Sequence, residues 1–119
     1  MTKEILGYLQ THWDREWYKT FEEFRIRLCY VLEDIFKQLD NNEINSFYMD
    51  GQVIALLDYL DLYPQKLEYV KELIKNKKLF IGPFYDLADE FFVNGESLAR
   101  NILIGETLAK ELGALPMAI

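Results

Sequence analysis

EILGYLQTHWDREWYKTFEEFRIRLCYVLEDIFKQLD, residues 4–40, contains one complete change of hydrophobic period. Residues 4–11 crowd Ile5, Leu6, Tyr8 and Leu9 into a short apolar run that reads as a strand. A polar and aromatic turn, HWDREWYK, follows. Thr20, with Glu23 three residues on, has the spacing of a capping box and announces a helix. Phe21, Phe24, Leu28, Leu32, Ile35 and Leu39 then recur every three or four residues, which makes one apolar stripe to about residue 40. Strand, loop and helix in that order are the opening of a βα unit.

Working outward, the unit repeats. Ser46 to Met49 is a second apolar run and ends in Asp50-Gly51-Gln52. Ile54, Leu57 and Leu60 suggest a helix interrupted before Pro64, and Pro64 suits the first turn of another, striped by Leu67, Val70 and Ile74. Residues 79–82 read as a third strand. After the loop FYDLADEFFVN, Asn94 can cap a helix with Leu98, Ile102, Leu108 and Leu112 as its apolar positions, and Gly113 can end it. Leu115 to Ile119 begin a further apolar segment. Strands separated by helices favour right-handed crossovers and a parallel sheet, so the fold class is α/β, in one domain over 1–119. Parallel sheets need cover on both faces. Three and a half units supply little of it, and the bare apolar ending reads as that of an incomplete chain.

Composition narrows the function. Half of the 119 residues are apolar and 28% are charged, the balance of a globular protein rather than a disordered tail or a coiled-coil rod. No run approaches the roughly 18 apolar residues a membrane helix needs. Polar residues come too early in MTKEILGYLQTHWD for a signal peptide, so a cytoplasmic location is expected. The net charge of −7 repels phosphate backbones, and KNKK at 75–78 is too short to offset it, so no nucleic-acid partner is expected. The single cysteine, Cys29, lies in an apolar helical pattern and reads as a buried thiol.

In α/β folds, ligands bind at the loops after the carboxyl ends of strands. Three such loops carry polar groups here. His12 and Asp14, at i and i+2 of an extended segment, can converge on one point as part of a zinc ligand set, or can simply hydrogen-bond neighbours at a strand end. Trp13 and Trp17 offer flat faces to a sugar ring, or pack beneath the first helix. Asp50 is either a turn residue before glycine or a carboxylate bonded to the histidine or to a sugar hydroxyl. Asp89 and Glu90 suggest a carboxylate pair, although adjacent side chains usually diverge. Glu96, in a first helical turn, is explained by the helix dipole.

THWDREWY at 11–18, DGQ at 50–52 and GPFYDLADEFFVNGESLARN at 82–101 together resemble glycoside hydrolase family 38, the α-mannosidases, in the bacterial branch that includes mannosylglycerate-type hydrolases. The resemblance runs from about Ile5 to the end of the chain. It implies the start of a parallel, seven-stranded β/α barrel holding one zinc ion. It further implies that His12 and Asp14 are two of the zinc ligands and that Trp17 stacks on the sugar. Asp50, Asp89 and Glu90 stand as rim or supporting residues. Gln10 replaces a histidine usual in the family, at a position outside the metal set.

The family's nucleophilic aspartate, its acid/base aspartate and its last histidine ligand have no counterpart in the 119 residues. The expectation is therefore an amino-terminal fragment of a zinc-dependent retaining α-mannosidase, acting on α-mannosides in its parent and inactive alone, with weak or absent zinc binding. The alternative is a natural short sugar-binding or assembly module. Open sheet edges predict a homo-oligomer.

Overall fold

The computed structural model describes residues 3–115. Helix α1 (Phe21–Asp40) starts at Thr20, whose side chain accepts from the Glu23 amide while Glu23 reaches back, as the sequence predicts. Strand β1 (Phe47–Tyr48) leads through Asp50 and Gly51 into α2 (Ile54–Leu62). A single 3₁₀ turn at Pro64–Lys66 joins α2 to α3 (Leu67–Lys75), and β2 (Leu79–Phe80) and α4 (Gly95–Glu111) complete the order. β1 and β2 pair in parallel, Phe47 with Leu79 and Tyr48 with Phe80.

The first apolar run differs from its reading as a strand. Only its end joins the sheet. Gln10 bridges Tyr48 in parallel, the Tyr48 amide donating to the Leu9 carbonyl at 2.9 Å and the Thr11 amide to the Tyr48 carbonyl at 3.3 Å. Ile5 and Leu6 lie in solvent. Alternation of apolar residues gives strand propensity, but a ladder needs a partner of matching length, and β1 is two residues long. The described residues thus form a narrow parallel sheet with helices, an α/β arrangement. Of the proposed fourth strand, residues 116–119 lie outside the described residues, and Leu115 is exposed.

α2 is the centre of the core. Six of its nine residues are buried, Asp58 among them, and only Asp61 and Leu62 at its end are exposed. α1 covers it with Leu28, Leu32 and Leu39, and α3 adds Val70, Leu73 and Ile74. The Tyr59 hydroxyl donates to Glu33 across the α1–α2 contact, and burial raises its pKa well above the ordinary phenol value. No side chain caps α2. Its first amides bond instead to the loop after β2: Val53 to the Phe84 carbonyl at 3.1 Å and Ile54 to that of Tyr85 at 2.9 Å.

α4 docks by the face the sequence suggests, with Leu112 buried in the core, but it comes closest at its small residues. Leu98, Ile102 and Leu108 are half-buried, and the closest approach is at Gly105 and Ala109. A Cβ on Gly105 would lie 2.2 Å from the Pro83 carbonyl oxygen, so only glycine lets the helix meet that loop. Asn101 completes the contact. Its Oδ1 accepts from the Asp86 amide at 3.0 Å and its Nδ2 donates to the Asp86 carbonyl at 2.6 Å.

Candidate active site

The strand-end loops do come together. Asp50 has φ +48° and Gly51 φ +76°, consecutive left-handed residues that turn the chain sharply out of β1. Aspartate tolerates this conformation and glycine favours it. Beyond the turn, Gln52 bridges Phe84 in parallel and the Phe84 amide donates to the Gly51 carbonyl at 2.9 Å, locking the second loop to the third.

The turn points Asp50 at the first loop. His12 Nδ1 lies 2.7 Å from Asp50 Oδ2, while Nε2 lies 3.5 Å from Asp14 Oδ1. The Asp50 hydrogen bond is the main cause of a raised imidazole pKa, with partial burial opposing it and Asp14 adding to it. In the neutral ring, Nδ1 donating to Asp50 leaves Nε2 its lone pair on the side of Asp14. That is the tautomer a metal-ligating histidine needs, set by the carboxylate behind it. His12 and Asp14 side chains are each half-exposed, so both remain open to a ligand. These donors fit half of a zinc site, because zinc takes three or four protein ligands. Among the described residues no group of three such side chains is placed to hold a metal ion.

Two further residues, missed in the sequence, stand beside the pair. Arg15 donates through Nε to Asp58 Oδ2 at 2.6 Å and through Nη2 to Asp58 Oδ1 at 2.9 Å, a two-pronged bond to a buried carboxylate on α2. The residues lie 43 apart, and nothing local links them. An open polar depression of about 510 Å³ adjoins Arg15, with Trp13, Asp14, Gln52 and Asp86 also in its walls.

The other candidates are less central. Trp17 is 74% exposed and free to stack on a ring. Trp13 is half-buried and meets Phe24 edge-on at 6.0 Å, so packing claims it. Asp89 is used in its own turn, Oδ1 accepting from the Phe91 amide at 3.1 Å, and Glu90 is exposed. The structure does not join that pair to the His12 cluster.

A family model described as "Glycosyl hydrolases family 38 N-terminal domain" matches residues 4–118. The chain belongs to glycosyl hydrolase family 38. This family 38 chain is 42% identical over 96 residues to a Halalkalibacterium halodurans protein named "Putative mannosylglycerate hydrolase", covering 80% of the chain and 11% of that relative. It is also similar to the crystal structure of an α-mannosidase from Enterococcus faecalis V583, with 44% identity and a TM-score of 0.86 over 92% of the chain and 12% of that structure's chain. A second Enterococcus faecalis structure, of a protein in glycosyl hydrolase family 38, gives 40% identity and a TM-score of 0.82 over 92% of the chain and 13% of the other. The family 38 chain thus spans little more than a tenth of the length of these relatives. Among its described residues no helix is long and apolar enough to cross a membrane.

Proposed function

We propose that the chain supplies the first part of the catalytic domain of a zinc-dependent, retaining α-mannosidase. What carries the reading is His12, held by Asp50 through Nδ1 with Nε2 turned toward Asp14, on the loop where the family motif stands. His12 and Asp14 would be two of the zinc ligands. When bound, the ion supplies Lewis-acid polarisation of the sugar's hydroxyl oxygens. Asp50 holds the imidazole in its ligating tautomer, and Trp17 presents its exposed ring to the apolar face of the mannose. The narrow parallel sheet would be the opening of a seven-stranded barrel, with the remaining strands and the two catalytic carboxylates outside these residues. Retaining hydrolysis needs those carboxylates about 5 Å apart across the bond. In this reading the 119 residues alone are inactive, bind zinc weakly and work in the cytoplasm.

The test is a chimera in which the chain replaces the matching segment of the Halalkalibacterium halodurans relative. It should hydrolyse an aryl α-mannoside with zinc, and His12→Ala or Asp14→Ala should each lower turnover at least a hundredfold. A folded, zinc-loaded chimera inert toward α-mannosides, or an active one indifferent to both substitutions, would overturn the reading.

A further inference from the structure

Residues 12–16 make no backbone-to-backbone hydrogen bond among the described residues; the ladder stops at Thr11, and the next such bond starts at the Trp17 amide. Their placement therefore depends on side chains. Three contacts serve: the His12–Asp50 bond, Trp13 against Phe24, and the Arg15–Asp58 fork. The fork is the most sheltered of the polar ones. The Asp58 side chain is only 10% exposed, whereas the His12 side chain is half in water. The guanidinium also lies over the Phe21 ring at 4.8 Å, and Arg25 donates to the Asp58 carbonyl at 3.0 Å. Both ends of the fork are thus themselves held, one by an aromatic face and the other by the central helix.

We propose that Arg15, clamped on Asp58, is the positioning residue of the candidate site, fixing the loop so that His12 meets Asp50 and presents Nε2 beside Asp14. Arg15 follows Asp14 directly, and consecutive Cα atoms are about 3.8 Å apart, so anchoring one restricts the other. A two-pronged fork fixes both distance and plane, which a single contact does not. Without it the loop keeps only the half-exposed histidine bond and the packing of Trp13 against Phe24 and the core. Lysine could restore the charge but not the plane.

This inference rests on reading His12 and Asp14 as the ligand pair. Its test nevertheless needs neither metal nor substrate, so it can fail while the chimera assay succeeds. The chain labelled with ¹⁵N is compared with Arg15→Met, Arg15→Lys and Asp58→Asn at one fixed, mildly alkaline pH at which the imidazole is neutral. The readouts are the imidazole nitrogen shifts of His12, its only histidine, and urea unfolding. Wild type should show a hydrogen-bonded Nδ1–H and distinct nitrogen shifts. Arg15→Met should lose that resonance and average the two shifts while unfolding stays cooperative, and Arg15→Lys should recover the signature only in part. Should Arg15→Met fail to fold, Asp58→Asn decides, because it keeps the side chain's shape while turning one acceptor into a donor and removing the charge that both prongs share. A wild-type His12 signature in the folded variants would overturn the proposal, as would full recovery by lysine.

Discussion

Asp86 stands at the meeting of α4 and the depression beside Asp14, its backbone gripped from both sides by Asn101. Burial raises its carboxyl pKa, with Asp58 and Asp14 adding to the rise and Arg15 opposing it. The folded chain therefore binds this proton more tightly than the unfolded one. Stability falls as pH rises from the ordinary aspartate value through the raised one, and the penalty is complete above it. Asp86→Asn should raise the urea midpoint at pH 7, with a gain that vanishes near pH 3. Gln52 makes a separate prediction. It is 2% exposed and its Oε1 has no hydrogen-bond partner among the described residues. A buried acceptor without a partner costs about 1–3 kcal/mol, so Gln52→Met should raise the melting temperature by several degrees. Calorimetry showing a lower one would mean that the amide is satisfied. At this scale the sequence was legible where chemistry is local. His12 and Asp14 share a face by alternation, and Asp50 precedes a glycine turn. Arg15 and Asp58 gave no signal, because two charged residues far apart in the chain carry no mark of their pairing.

Among the elements, α4 shows what a helical pattern reveals and what it hides. Its ends were legible: Asn94 Oδ1 accepts from the Ser97 amide at 2.8 Å, and Gly113 follows the last turn with φ +93°. Its apolar face was legible too, since Leu112 is buried and Leu98, Ile102 and Leu108 are half-buried, but the close approach at Gly105 was not, because the partner there is an irregular loop. A glycine inside a helix reads as a weakness until its neighbour is known. Gly105→Ala should cost about 1–3 kcal/mol, as overpacking does, because backbone atoms rather than a pliable side chain would meet the new methyl. Gly95→Ala, with open space around the position, should leave stability unchanged or slightly higher. Equal losses from both in urea unfolding would show that α4 is not held at Gly105. The opening strand was over-read for a related reason, since apolar content marks propensity but the length of a ladder depends on a partner elsewhere in the chain.

For the molecule as a whole, the open edges carry the expectation. Among the described residues β2 has a neighbour on one side only, and the sheet's far margin is the exposed run through Ile5, Leu6, Tyr8 and Leu9. Free backbone groups flanked by bare apolar side chains favour pairing with another chain. The chain studied by itself should therefore associate, and light scattering at micromolar concentration should give a mass above that of the 14.2 kDa monomer. A monodisperse monomer would mean that the edges are covered within one copy.

The bonding of the α2 amides to Phe84 and Tyr85 also bears on biosynthesis. The first amides of the central helix gain their protein partners only when the chain reaches those residues. A ribosome adding about 5–20 residues per second reaches them roughly 2–6 seconds after Ile54 has been joined. Until then the helix start is held by water alone. The third loop, once made, closes that end of the core.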